Sequence, residues 1–210
     1  MKKYLMEFLG TFYVAIAVSL TSNPIAIGLM LMAMICVGSA LGVMHYNGAL
    51  TLSFLLTNHI SLRDAVGYWA AQIAGSFVAL YVFYVITNMV YAPEPMIDMP
   101  LWLSMNVELM MIIPFCLVAL FLCLRHSKHV YTPVVQAITI GFSFMAIAFV
   151  GGIFNPSIAS ASLLWHMMYG GEFYHLNNLV IYVVGPLIGA CLAGVLHKCI
   201  HEDKSVQHGM

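Results

Sequence analysis

Two short apolar segments decide how this chain of 210 residues folds. The first is NGALTLSFLL at residues 47–56, and the second is NPSIASASLLW at residues 155–165. Each offers a helix of about ten residues, which rises roughly 15 Å, or half of the ~30 Å hydrocarbon core of a bilayer. Both begin with Asn, a favourable helix cap, and Pro156 suits a first helical turn. The segments are apolar enough to enter a membrane and too short to cross it.

The sequence on either side of these segments is that of a membrane protein. Hydrophobic residues make up 62% of the chain and charged residues only 7%, too few for the surface of a soluble domain of this size. A spanning helix needs about 20 largely apolar residues. Six such stretches are predicted, at residues 5–21, 25–43, 66–90, 101–124, 134–150 and 179–197. An even number of spans places both termini on one side.

The basic residues orient the chain in the membrane. All of them precede or follow a span on one predicted face: Lys2, Lys3, Arg63, Arg125, Lys128, Lys198 and Lys204. Basic residues in short loops stay on the cytoplasmic side, so we expect an integral protein of the plasma (inner) membrane with both termini cytoplasmic. A cleaved signal peptide at residues 1–20 is the competing interpretation, but Glu7 interrupts its apolar run.

The two halves of the chain repeat the same features in the same order. The pairs are Glu7 with Glu108, Ile27-Gly28 with Ile140-Gly141, Asn47-Gly48-Ala49 with Asn155-Pro156-Ser157, and Gly75-Ser76 with Gly189-Ala190. Three spans per half turn the second half upside down relative to the first, which gives an inverted repeat. Sites in such folds lie where the repeats meet, so the two short segments are predicted to be re-entrant, with their N-terminal ends near the midplane.

These features predict an all-α membrane protein of six transmembrane helices plus two re-entrant half-helices. We expect a single domain over residues 1–210, with a first repeat at about residues 1–91, a second at about 100–199, and a cytoplasmic tail at 200–210. The alternative for the short segments is that Asn47 and Asn155 cap surface helices in ordinary loops. Their matching positions in an inverted repeat favour a pore.

The motifs, taken in order, resemble the aquaporin or major intrinsic protein family over essentially the whole chain. The matching pieces are EFLGT at 7–11, HYNGALT at 45–51, YWAAQIAG at 68–75, FNPS at 154–157 and YVVGPLIGA at 182–190. The resemblance implies a passive channel for water or small uncharged solutes in each subunit of a homotetramer. It implies neither an enzyme nor a cofactor, and the chain has no Gly-rich phosphate loop for a pump and no basic patch for nucleic acid.

The resemblance also implies a set of pore-lining residues. Asn47 and Asn155 present side-chain amides to the permeating molecule at the midpoint, where two helix N-termini of about half a positive charge each repel cations. The other expected lining residues belong to the same loops and first turns: His45, Gly48, Ala49, Pro156 and Ser157.

Two carboxylates are predicted to hold these loops. Glu7 and Glu108 resemble the buried acids of the family, which accept hydrogen bonds from loop N–H groups. An acid in a span costs about 2.5–3.5 kcal/mol on insertion scales, so it normally has a role. The alternative is that each acid lies near the membrane boundary and is simply hydrated.

The sequence departs from the family at the filter and at both triplets. Its triplets are Asn-Gly-Ala and Asn-Pro-Ser where the family has Asn-Pro-Ala, and Gly48 adds a backbone donor that proline lacks. By alignment, the outer filter consists of Ile27, Ala148, Gly152 and Ile158, with Ile158 at the position that the family usually gives to arginine. Such an uncharged filter favours glycerol-like solutes and resembles the unorthodox branch of the family.

Two other functions and one other site stay open on the sequence. A proton-coupled secondary transporter would also show an inverted repeat. A structural membrane protein with a closed pore is the second alternative, since Met44 and Tyr46 are large enough to plug the first triplet. An external loop contains four residues that could suggest a metal site, namely His166, Tyr169, Glu172 and His175. Their spacing matches no specific metal site, so we expect no metal.

Overall fold

The computed structural model describes residues 1–42, 44–93, 99–124, 131–169 and 180–206. In this part of the chain there are eight α-helices and no strand: α1 (Lys2–Thr21), α2 (Pro24–Gly38), α3 (Gly48–Leu56), α4 (Leu62–Thr87), α5 (Leu101–Leu124), α6 (Pro133–Ala148), α7 (Pro156–Tyr169) and α8 (Gly185–Val206). A 3₁₀ helix, Ser39–Leu41, follows α2, and a π-helical segment, Val180–Val184, leads into α8. The prediction of an all-α fold is confirmed. Arg125, Lys128, Glu172 and His175 lie outside the described residues.

Each of the six predicted spans corresponds to a long helix. Five of these segments are long and apolar enough to cross a membrane when α2 is taken with the 3₁₀ helix that follows it, as Pro24–Leu41, and α8 with the π-helical segment before it. The sixth, α6, has 16 residues. The helix ends follow local capping more closely than hydropathy. For example, α4 begins at Leu62 rather than at 66, because the hydroxyl of Ser61 accepts the N–H of Asp64 at 3.1 Å. At the other end of the chain, α8 continues to Val206 and so enters the predicted tail.

Close packing of long helices repeats in the two halves. In the first half α1 packs against α4, in the second α5 packs against α8, and α2 packs against α6 across the halves. A β-carbon at Gly75 would overlap the carbonyl of Phe8, and one at Gly189 would overlap the carbonyl of Leu109. These glycines therefore let the paired helices approach until backbone meets backbone, at equivalent positions of the repeat.

The short helices α3 and α7 lie among the long ones. The first packs against α4, α5 and α8, the second packs against α4 and the π-helical segment, and the two contact each other. The bounds of α3 are those of the predicted apolar segment, whereas α7 has 14 residues and continues past the predicted end at Trp165. Its added last turn carries exposed apolar side chains, with Met167 75% exposed.

The outer surface of the helices is apolar. Large hydrophobic side chains are exposed along the spans, among them Val37, Val66, Val85 and Ile86. The polar side chains Glu7, Gln72 and Glu108 are instead buried between helices. This inversion of the pattern of soluble proteins is what a hydrocarbon solvent requires.

Candidate functional site

The loops before α3 and α7 have the same unusual backbone conformation. Tyr46 has a φ of 50° and Phe154 a φ of 49°, in the left-handed region that aromatic residues rarely adopt. Each residue directly precedes the Asn that caps a short helix. The conformation therefore turns the chain sharply at matching points of the two halves.

A buried carboxylate binds each of these turns. The two oxygens of Glu7 accept the N–H groups of His45 at 2.6 Å and Tyr46 at 2.8 Å. The two oxygens of Glu108 accept the N–H groups of Ile153 at 2.7 Å and Phe154 at 2.8 Å. Both acids are buried, so these charge-assisted bonds offset the loss of hydration of the carboxylate and of the loop backbone.

The two Asn side chains bind across the junction between the halves. Nδ2 of Asn47 donates to the carbonyl of Phe154 at 2.8 Å, and Nδ2 of Asn155 donates to the carbonyl of Tyr46 at 2.9 Å. Each of these bonds uses one of the two N–H donors of its amide. The N-terminal ends of α3 and α7 are thereby held face to face.

The amide oxygens of the same residues cap the helices. Oδ1 of Asn47 accepts the N–H of Ala49 at 2.8 Å, within its own half. Oδ1 of Asn155 accepts the N–H of Ser157 at 3.2 Å and also that of Gly48 at 3.3 Å, from the other half. The extra backbone donor that the sequence predicts at Gly48 is thus used at the junction.

A side-chain network reinforces the first half, and the sequence analysis missed its centre, Gln72. Nε2 of Gln72 donates to Oε2 of Glu7 at 2.7 Å and to the hydroxyl of Thr51 at 3.0 Å. Its Oε1 accepts the hydroxyl of Ser157 at 2.8 Å. A lone Gln within the apolar span YWAAQIAG, residues 68–75, was the available signal, since a buried amide needs partners.

His45 belongs to the same network. The hydroxyl of Thr51 donates to the carbonyl of Asn47 at 3.0 Å and has one proton to give. Nδ1 of His45, 3.1 Å from that hydroxyl, is therefore the donor of their bond, which leaves Nε2 as an acceptor. Nε2 is buried and has no hydrogen-bond partner among the described residues.

The side chain of Tyr46, a candidate plug on the sequence, is anchored between α1 and α2. Its ring lies against Gly10, and its hydroxyl, which lies against Gly38, donates to the carbonyl of Met34 at 3.0 Å. Met44 also lies against Gly38. Both large side chains thus fill space beside the long helices of the first half.

A cavity of about 380 Å³ adjoins the second loop. Ile27, Ala148 and Gly152 line it, together with aromatic side chains such as Phe144 and Tyr182, and none of the lining residues that the structure describes is charged. Ile158, the fourth predicted filter residue, is fully buried in the first turn of α7 and does not line this cavity.

The cavity lies at one end of α1 and α4, and Lys3 lies at the other end. Ser22 and Ala92, which follow the ends of these two helices, line the cavity. At the helix starts, Nζ of Lys3 lies 2.7 Å from Oδ1 of Asp64, which also accepts the hydroxyl of Tyr4 at 2.7 Å. Among the described residues, no three His, Cys, Asp or Glu side chains are grouped as a metal ion would require.

A known protein family matches almost the whole chain. The model of the family described as "Major intrinsic protein" matches residues 1–197. The chain belongs to the major intrinsic protein family. The family resemblance of the sequence motifs is thus confirmed, and with it an integral membrane protein.

Relatives in this family include proteins with different names. Glycerol uptake facilitator protein-like 6 of Lactiplantibacillus plantarum is 29% identical, over 97% of this chain and 100% of its own length. Aquaporin TIP2-3 of Arabidopsis thaliana is 28% identical, over 73% of this chain and 61% of that protein. The X-ray structure of the aquaglyceroporin from Plasmodium falciparum aligns with a TM-score of 0.77 at 20% identity, covering 93% of this chain and 94% of that one. This last match shows that the fold is shared.

Proposed function

We propose that this chain is a passive channel for water and small uncharged solutes of the glycerol type, and not an enzyme. The route runs between the two halves, past Asn47 and Asn155. The observation that carries the proposal is the pair of crossed bonds from these two amides to Phe154 and Tyr46, which brings two helix N-termini together inside an apolar bundle. Membership of the major intrinsic protein family supports it.

The junction can orient a passing hydroxyl or water. Each helix N-terminus carries about half a positive charge, so the point between them repels cations. The second N–H of each Asn amide can donate to the oxygen of the permeating molecule. A water that accepts from both amides directs its own protons away from the junction, which interrupts a chain of proton transfer.

The remaining lining residues complete the route in this proposal. His45 shapes the loop on one side of the junction, because its buried ring is bonded through Nδ1 to the hydroxyl of Thr51 at 3.1 Å. Gly48, Ala49, Pro156 and Ser157 form the first turns that flank the two amides.

The outer filter in this proposal is apolar and lacks arginine, as in the unorthodox branch of the family. Ile27, Ala148 and Gly152 line the cavity, and Ile158, three residues after Asn155 in the first turn of α7, is the fourth member of the proposed filter. An uncharged opening offers no groups that replace the water around an ion. Loss of hydration there costs an ion more free energy than a small neutral solute, so the opening favours neutral molecules. The names of the bacterial relative and of the aquaglyceroporin, which refer to glycerol, agree with this preference.

The expected arrangement in the cell follows from the same features. We propose a single domain with repeats at about residues 1–91 and 100–199, assembled as a homotetramer in the plasma (inner) membrane. The Lys3–Asp64 ion pair supports cytoplasmic termini, since it places the basic starts of α1 and α4 at one end of the bundle.

Stopped-flow light scattering of proteoliposomes tests the function. Vesicles that contain the protein should shrink faster than empty vesicles in a sucrose gradient, and should re-swell faster in glycerol. Both rates should be unchanged when a protonophore removes any proton gradient. Uptake that requires the gradient would indicate a proton-coupled transporter, and rates equal to those of empty vesicles would indicate a closed-pore structural protein.

A further inference from the structure

The first turns of α3 and α7 meet at Gly48 and Ser157. A β-carbon at Gly48 would lie 2.6 Å from the hydroxyl oxygen of Ser157, 3.1 Å from Cγ of Pro156 and 3.3 Å from the backbone nitrogen of Ser157. The first distance is too short for any real contact. The hydroxyl of Ser157 therefore occupies the place that a side chain at position 48 would need.

The hydroxyl of Ser157 is held there by Gln72. The two N–H donors of the Gln72 amide bind the carboxylate of Glu7 at 2.7 Å and the hydroxyl of Thr51 at 3.0 Å, which fixes which way the amide points. Its oxygen consequently faces Ser157, whose hydroxyl must donate at 2.8 Å. Gln72, Thr51 and Glu7 are fully buried and Ser157 nearly so, so water does not replace these bonds easily.

Both backbone polar groups of Gly48 are hydrogen-bonded to other parts of the chain. Its N–H donates to Oδ1 of Asn155 at 3.3 Å, and its carbonyl accepts the indole N–H of Trp69 at 3.0 Å. A shift of Gly48 away from Ser157 would therefore disturb the cap of α7 as well as the hold of α4 on α3.

We propose that Gly48 and Ser157 are a matched pair that sets the position of Asn155. The absent side chain at 48 makes room for the hydroxyl at 157, and the Gln72–Ser157 bond ties the start of α7 to the first half of the chain. Gln72 is a positioning residue, because it acts on a permeating molecule through Ser157 and Asn155. The effect on permeation rests on the proposed channel function, whereas the pairing itself does not.

A double-mutant cycle in the full-length protein tests the pair. The variants are Gly48→Ala, Ser157→Ala and the two together, each reconstituted and measured per folded protomer for water and glycerol permeability and for the midpoint of thermal unfolding. In the wild-type background, Gly48→Ala should lower water permeability by about fivefold or more, since the new methyl overlaps the hydroxyl of Ser157. In the Ser157→Ala background, the same change should lower it by less than about twofold, since the clashing oxygen is gone.

Two matched controls separate the pair from general effects of these substitutions. Gly194→Ala adds the same methyl to α8, where the nearest atom, Cβ of Leu56, is 3.4 Å from the new β-carbon. Ser160→Ala removes a hydroxyl from α7 that, among the described residues, bonds within the helix to the carbonyl of Pro156 at 2.7 Å. Both should leave the permeabilities and the unfolding midpoint near those of the wild type.

Each outcome of the double-mutant cycle supports or contradicts the pairing of Gly48 with Ser157. If Ser157→Ala restores the water permeability that Gly48→Ala loses, the pair is supported. If the Gly48→Ala protein does not fold, the same restoration is measured in the unfolding midpoint or the yield of folded protein. Equal effects of Gly48→Ala in both backgrounds, including no effect in either, would overturn it. If the wild type conducts nothing, the channel proposal fails, while the unfolding midpoints still decide whether the two residues are coupled.

Discussion

The loops before α3 and α7 share a backbone design and differ in how side chains support it. In both, a buried Glu accepts two consecutive loop N–H groups, and a left-handed aromatic residue precedes an Asn cap. In the first half, Gln72 adds a third hydrogen bond to Glu7. By the repeat, the position of Gln72 corresponds to Pro186 in the second half, which has no side-chain donor.

This difference separates the hydrogen bonds that each half of the repeat requires from those that it can do without. The backbone N–H groups of a turn inside an apolar bundle must be satisfied in each half, so both halves keep a carboxylate at the same place. Side-chain bonds that merely stiffen the turn are free to differ. The first half is reinforced by polar groups, whereas in the second Gly152 packs directly against the ring of Phe154 and the carboxylate of Glu108. The two halves should therefore respond unequally to equivalent mutations.

The largest expected effect comes from removing the two acids. Glu7→Leu leaves three buried donors without their acceptor and Glu108→Leu leaves two, at about 1–3 kcal/mol for each donor. Both variants should lower the thermal unfolding midpoint in detergent, and Glu7→Leu should lower it further. A larger loss for Glu108→Leu would show that the polar network of the first half adds no stability.

The next effect concerns the Asn pair. Asn155 makes two bonds to the first half, with Tyr46 and Gly48, whereas Asn47 makes one to the second half, with Phe154. Asn155→Ala should therefore cost about 1 kcal/mol more than Asn47→Ala, the usual value of one hydrogen bond.

Urea unfolding of the two Asn variants in mixed micelles, with water permeability per folded protomer, makes this comparison. Both variants lose one helix cap, so each is the control for the other. Equal losses would mean that the bond of 3.3 Å from Gly48 contributes nothing.

A smaller and more selective effect is expected at the filter. Ile158→Arg adds a charge and a fork of donors to the proposed filter, so glycerol permeability should fall more than water permeability. Ile158→Met is the matched control, and it should change neither the ratio of glycerol to water permeability nor the folding of the protein.

Because Ile158 is fully buried, folding of the arginine variant is checked first by size-exclusion chromatography in detergent. If it does not fold, Ala148→Leu, which narrows the cavity directly, should produce the same change of ratio. A folded Ile158→Arg protein with both permeabilities unchanged would remove Ile158 from the filter.

The smallest effect is expected at the end of the bundle, where Lys3 pairs with Asp64. The position that corresponds to Lys3 in the second half is Ser104, so this ion pair is a further difference between the halves. It is partly exposed, and such pairs are worth at most about 1 kcal/mol. Lys3→Met should lower the unfolding midpoint slightly in low salt and not at all in high salt, whereas a loss that persists in high salt would point to lost packing instead.

The sequence by itself determined the features that depend on near neighbours along the chain. Apolar stretches of sufficient length predicted the long helices, and Asn before a short apolar run predicted where α3 and α7 begin, because capping joins residues two or three positions apart. The repeat was visible since both halves use the same residue types in the same order. The prediction that α7 ends at Trp165 was wrong, as its remaining turn is held by helical bonds that composition does not reveal.

Only the tertiary structure decided which side chains meet across the halves. The bond between Ser157 and Gln72 joins residues 85 positions apart, and that between Asn155 and Tyr46 joins residues 109 positions apart. The sequence could not place Gln72 in a network, anchor the side chain of Tyr46 between α1 and α2, or show that Ile158 does not line the cavity. These outcomes depend on the angle and separation at which helices pack, and that geometry arises from all their contacts together rather than from any local motif.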